Sequence, residues 1–214
     1  MSVKENLNEI LEETKNYNPT IVAVTKYYDE KKMMEAYDAG LRNFAESRAL
    51  EAVEKIGKID DTAKSQSIYH FIGHLQTNKV KHVVGVFHYI HSIDSLKIAK
   101  AVDQRASELG IIQKIFLQVN NAGEAQKFGI SPNELENLIE EVRCMKSLDL
   151  VGLMNIAPLT DDTQELHRLF KQMKALQEEY QLKELSMGMS HDYKIALEEG
   201  ATMIRLGRIL FKDN

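Results

Sequence analysis

The chain has 214 residues, of which 43% are hydrophobic, enough to bury the core of one ordinary domain. Its formal net charge of -5 gives no electrostatic ground for nucleic acid or an anionic membrane as partner, since both call for clustered positive charge. Cys144 stands alone, so no internal disulfide forms, and no apolar stretch approaches the roughly 20 residues that span a bilayer; a reducing, cytoplasmic setting is expected.

The N-terminal segment carries the stripe Val3, Leu7, Ile10 and Leu11, which predicts a helix covering one end or flank of the fold. Short apolar runs then alternate with segments of helical period. The runs are 21–26, 43–46, 68–72, 89–92, 114–119, 150–154, 184–186 and 203–206, eight candidate strands in all. Between them the helices show periodic apolar positions, as in Leu135, Leu138, Ile139 and Val142, or Leu166, Leu169, Phe170, Met173 and Leu176. Lys79-Val80-Lys81-His82 reads as a solvated helix face. Ser131-Pro132-Asn133-Glu134 predicts an N-cap, a proline at the first helical position and a capping-box glutamate, and Cys144 reads as a small packed residue of that helix.

Strand-helix alternation repeated eight times predicts an α/β fold, a single (β/α)8 TIM barrel over residues 1–214 with an N-terminal helix. A doubly wound sheet is the alternative, but Thr25-Lys26-Tyr27-Tyr28 after the first run offers no glycine-rich turn for a pyrophosphate.

Closing a barrel makes the first and last strands neighbours. Lys26 ends the first run and Arg205-Leu206-Gly207-Arg208 ends the last, so an amine, a guanidinium and a glycine able to let a ligand approach the backbone converge. That set suits pyridoxal 5'-phosphate (PLP). Burial of Lys26 at a strand end and the charge of Arg205 would lower the pKa of the amine and ready it for a Schiff base with an aldehyde; the alternative is a surface lysine just past the strand. Arg205 points opposite to Ile204 and Leu206, into the barrel, where it faces either a pyridine nitrogen, which it would leave unprotonated, or a structural ion pair. After the seventh run, Ser186-Met187-Gly188-Met189-Ser190-His191-Asp192 leads into a helix. Ser190 and nearby N–H groups suit a phosphate there, while an ordinary helix cap by Ser190 is equally compatible. His70 and His74 flank a strand end and lack helical metal-ligand geometry, and no Cys/His cluster suggests zinc. His88, His91 and His191 lie near strand ends, where they either edge the pocket or, the favoured reading, are hydrogen-bonded structural histidines.

These residues resemble the YggS/PROSC-type pyridoxal phosphate homeostasis proteins, related in fold to the N-terminal barrel of alanine racemase. The likeness rests on Ala23-Val24-Thr25-Lys26, His70-Phe71-Ile72-Gly73-His74-Leu75-Gln76-Thr77-Asn78-Lys79 and His91-Ser92-Ile93-Asp94. It continues in Val119-Asn120 with Glu124, Lys127-Phe128-Gly129, Gly152-Leu153-Met154, Leu185 to Ser190 with Asp192, and Arg205-Leu206-Gly207. The resemblance implies the covalent link at Lys26, Arg205 at the pyridine nitrogen, Ser190, Gly207 and Arg208 around the phosphate, and Ser47 and Met154 as further cofactor contacts. It departs at Ala45-Glu46-Ser47, where the family's usual Gly-Glu-Asn has an asparagine in place of Ser47, and the arginine-containing stretch near the N-terminus is abbreviated.

The implied function is a protein that holds PLP as a reversible Schiff base and buffers it or delivers it to PLP-requiring apo-enzymes, without an established reaction. The competing reading is a fold-type III racemase or decarboxylase. Such enzymes add a C-terminal β-domain, whereas here Asn214 lies eight residues after Leu206, which also points to a monomer; Tyr27, Tyr28 or His91 would have to serve as acid/base. A barrel binding another phosphorylated metabolite, with Lys26 as an electrostatic contact, is the third.

Overall fold

In the computed structural model, residues 2–124 and 126–212 are described. The chain opens on α1 (Val3–Thr14), whose Ser2 accepts from the Glu5 N–H while Glu5 accepts from the Ser2 N–H, a reciprocal cap. Val3, Leu7 and Ile10 are buried on one flank of the barrel, but Leu11 is 49% exposed and falls off the stripe.

The strands are β1 (Thr20–Val24), β2 (Asn43–Glu46), β3 (Ile68–Phe71), β4 (Tyr89–Ile93), β5 (Gln113–Gln118), β6 (Leu148–Met154), β7 (Glu184–Met189) and β8 (Met203–Leu206). All pairs are parallel, and β1 pairs with β8 through Ala23 and Leu206, so the sheet closes in sequence order. The expected barrel is therefore the fold, and the doubly wound alternative is excluded. Helices between the strands are α2 (Glu30–Asp38), α3 (Ala49–Gly57), α4 (Asp61–Gln66), α5 (Val80–Val83), α6 (Leu96–Leu109), α7 (Leu135–Arg143), α8 (Thr163–Glu179) and α9 (Tyr193–Glu198), with α10 (Arg208–Phe211) after the last strand. Among the described residues no helix is long and apolar enough to cross a membrane.

Strand alternation sorts the side chains into two cores. Ile21, Ala23, Phe44, Phe71, Ile90, Ile115, Leu153, Leu185, Ile204 and Leu206 face the helices and pack with Leu138, Val142, Phe170 and Met173 from α7 and α8. Val22, Ala45, Phe116, Val151, Met154 and Met203 fill the barrel interior.

Three local expectations change. Ser131 Oγ donates to Glu134 Oε2 (2.6 Å) instead of capping a backbone N–H, and Pro132–Glu134 forms a 3-10 turn ahead of α7, because the carboxylate is the stronger acceptor. Cys144 is exposed: it sits at the C-cap of α7, past the last buried position, Val142. Strand β7 runs on to Met189 through Gly188, at φ +90, where an added Cβ would sit 2.7 Å from Ala196 Cβ and 3.0 Å from Tyr193 Cα. The β7–β8 register slips here, between Ser186 and Met189.

Candidate functional site

At the C-terminal mouth, the loops after β1, β6, β7 and β8 enclose a cavity of roughly 460 Å³ lined by Val24, Lys26, Tyr27, Tyr28, Leu159, Met189, Ser190, His191, Arg205, Gly207 and Arg208. Lys26, Ser190, Arg205, Gly207 and Arg208, drawn from the two ends of the sequence, are thus brought together. The Gly207 N–H donates to Ser190 Oγ (3.4 Å), tying the β8 loop to the β7 loop. Tyr28 lies on Phe211, with ring centroids 4.4 Å apart, while Tyr27 is 77% exposed.

Lys26 takes the second of its two expected placements, past the strand end. Strand β1 ends at Val24, and Lys26 lies just beyond it, half-buried, with Nζ 5.0 Å from the centroid of the Tyr27 ring. Its amine is therefore only partly desolvated and open to a ligand entering from solvent. The backbone beneath it is fixed by a group that sequence reasoning missed. Thr25 is fully buried, and its hydroxyl donates to Glu46 Oε1 (2.6 Å). Lys55, from α3, donates to the same carboxylate oxygen (2.6 Å) and to the Thr25 carbonyl (2.7 Å). Glu46 is 3% exposed, so this is a buried ion pair whose charge-assisted hydrogen bonds clamp β1 to β2 immediately before the lysine. The sequence signal was a glutamate inside an otherwise apolar strand end.

Arg205 points into the barrel, as alternation predicts, and is 3% exposed. Its Nη1 donates to Ser186 Oγ (2.7 Å) and its Nη2 to the Asn155 carbonyl (2.7 Å). Burial pushes its pKa down to about 10, opposed by the negative charge of Asp192, so it remains a cation at neutral pH. Asp192 is itself buried; desolvation raises its pKa, partly offset by the Met189 N–H, which donates to it at 2.6 Å, and by Arg205. This Asp192 contact holds the β7 loop in place.

The family model described as alanine racemase, N-terminal domain, matches residues 1–214. The pyridoxal phosphate homeostasis protein of Synechocystis sp. is 43% identical over 200 residues, covering 90% of each chain. The chain belongs to the pyridoxal phosphate homeostasis protein family. Among solved structures, PipY of Synechococcus elongatus with PLP bound superposes with a TM-score of 0.90 at 34% identity, covering 98% of this chain and 100% of that one. Alanine racemase of Clostridium difficile shares the barrel (TM-score 0.75, 18% identity), but the match covers 98% of this chain and only 57% of the racemase.

Two of the contacts expected from this family lie off the cavity. Ser47 lines a neighbouring cleft with Arg48, Glu51, Phe71, His74 and Gln76, because its loop lies so close to Gly73 that a Cβ there would come within 2.0 Å of the Ser47 carbonyl oxygen. Met154 is fully buried in the barrel interior, the side assigned to it by strand alternation. Of the three histidines near strand ends, His191 lines the cavity; His91 is buried within the barrel and His88 accepts from the Tyr69 N–H at its base (3.0 Å).

Proposed function

We propose that this protein binds PLP reversibly at the barrel mouth, through Lys26, and stores or delivers it without turning over a substrate. The observation that carries this reading is the shared cavity: an accessible primary amine, a buried guanidinium, a hydroxyl and a backbone N–H at Gly207 surround one space. When bound, PLP supplies an aldehyde that condenses reversibly with a primary amine. The residues fit that group. Lys26 offers the amine at the rim, and Arg205 offers a donor to the ring nitrogen. Ser190 and Gly207 offer neutral donors to the phosphate, and Arg208, exposed on the mouth, adds a positive charge. In this assignment Met154 supports the site from within the barrel, and Ser47 acts from the adjoining cleft.

The same reading makes residues 1–214 one monomeric unit in the cytoplasm. Its support is that Cys144 carries an exposed, unpaired thiol, which suits a reducing compartment. Delivery to PLP-requiring apo-enzymes is supported by the open rim, where Tyr27 and Leu159 are 77% and 83% exposed beside Lys26.

The test is an absorbance spectrum of the purified protein with PLP, then borohydride reduction and mapping of the modified residue. We expect a reducible chromophore on Lys26, and its complete loss in Lys26→Ala with little change in melting temperature, since the side chain is half exposed. No chromophore in the wild type, or labelling that persists in Lys26→Ala, overturns the proposal.

A further inference from the structure

Beneath Arg205 the barrel interior holds two histidines that the proposed binding site does not use. His91 and His70 are both fully buried. His91 Nδ1 is 3.0 Å from Ser186 Oγ, His91 Nε2 is 2.9 Å from His70 Nδ1, and His70 Nε2 is 3.0 Å from Asn43 Oδ1. With the Arg205 contact to Ser186, these form one unbroken chain from the mouth of the barrel to the start of β2. Ring stacking braces it: His70 lies on Tyr89, with centroids 4.8 Å apart, and His91 on Phe116, 4.2 Å apart.

The direction of every hydrogen bond follows from one end. The amide oxygen of Asn43 only accepts, so His70 carries a proton on Nε2 and donates it to Asn43 Oδ1. With His70 neutral its Nδ1 is bare and accepts from His91 Nε2–H. With His91 neutral its Nδ1 is bare in turn and accepts the Ser186 hydrogen, while Ser186 Oγ accepts from Arg205, whose guanidinium has only donors. Both rings must be neutral for this order to hold. Burial lowers the His70 pKa to about 3, and burial, reinforced by the neighbouring His70 and Arg205, holds His91 well below the usual imidazole range.

We propose that the Asn43–His70–His91–Ser186 chain is a positioning device for Arg205, fixing which guanidinium N–H groups are spent on the barrel and which remain for the ring nitrogen of a ligand in the mouth. The inference rests on the PLP reading for the identity of that ligand. Ser186 and His91 act through Arg205 and do not touch the cofactor. The chain commits the serine hydrogen to His91 and leaves the serine oxygen to accept from Arg205, so the guanidinium is set before a ligand arrives.

Two measurements test it. In the protein without PLP at neutral pH, long-range nitrogen-proton correlation of labelled histidines should show His70 and His91 each neutral and protonated at Nε2. A proton on Nδ1 of either ring, or a charged ring, overturns the hydrogen-bond order whatever the ligand is. With PLP added, Ser186→Ala should bind about tenfold more weakly, the scale of one hydrogen bond to a charged group, and should shift the absorbance maximum of the Lys26 adduct. Ser186→Thr, which keeps the hydroxyl, should stay close to wild type in both. Unchanged affinity and spectrum in Ser186→Ala, or a Ser186→Thr spectrum that tracks Ser186→Ala, refutes the positioning role while the adduct on Lys26 stands. Absence of any adduct in the wild type defeats the PLP reading and leaves the tautomers to decide the chain. If Ser186→Ala does not fold, the wild-type tautomers and Ser186→Thr carry the decision.

Discussion

Outside the sheet, between strands and helices, the buried side chains are mainly aliphatic and aromatic; inside it, a smaller apolar cluster shares the barrel with Arg205, His70, His91 and Ser186. The outer layer gains free energy by burying apolar area, roughly 25 cal/mol for each Å², and asks little of any one contact. The interior holds groups that are costly to bury unless every donor finds its acceptor. Stability and ligand geometry are thus assigned to opposite faces of the same strands, one residue apart, as at Ile204 and Arg205.

That division is breakable by substitution. The largest effect is expected in the outer layer. Phe170→Ala, at a fully buried position of α8, should cost about 3–5 kcal/mol in denaturant unfolding while leaving PLP affinity of the folded protein near wild type. A large loss of affinity there would show that the two faces are coupled.

Glu46→Gln should come next, at about 3 kcal/mol, because Lys55 is left buried without its carboxylate. Here stability and the Lys26 adduct should fall together, since the clamp lies directly under that lysine; a spectrum and affinity equal to wild type would separate the clamp from the site.

Smallest per unit change is acid sensitivity. His70 titrates near 3 when folded and near 6.5 when unfolded, so between those values the unfolded chain binds more protons and stability falls as pH falls. His91 acts in the same direction. Each contributes a slope of up to about 1.4 kcal/mol per pH unit, fully absent above the unfolded value. His70→Gln should flatten the fall measured between about pH 7 and pH 5. A slope unchanged from wild type would mean that the interior accepts a charged ring.

Much of this was legible in the chain. The eight runs fall on the eight strands because a parallel barrel strand is short, apolar and punctuated by helices, and the neighbourhood of Lys26 with Arg205 to Arg208 follows from closure alone. The inward aim of Arg205 followed from its flanking Ile204 and Leu206. The same alternation places His70 beside outward Phe71, His91 beside outward Ile90, and Ser186 between outward Leu185 and Met187. What was not legible is how these join. Their partnership depends on the register across four strands and on irregularities in pairing, including the slip after Ser186, that no single run discloses. The Glu46–Lys55 clamp was hidden for a similar reason, since its lysine comes from the following helix. Ser47 read as a site residue by its place in a motif; what the motif did not disclose is the close approach of its loop to Gly73, beside which it lines the adjoining cleft.

The pairing of β1 with β8 has a consequence for the order of events during synthesis. A nascent chain can assemble local strand-helix units as they emerge, but Ala23 cannot meet Leu206 until all eight strands have left the ribosome. Until then the sheet keeps two open edges, each able to pair with a neighbouring chain, and Lys26 stands on one of them without Arg205 or Gly207. One late closure therefore removes both sticky edges and completes the pocket at the same moment.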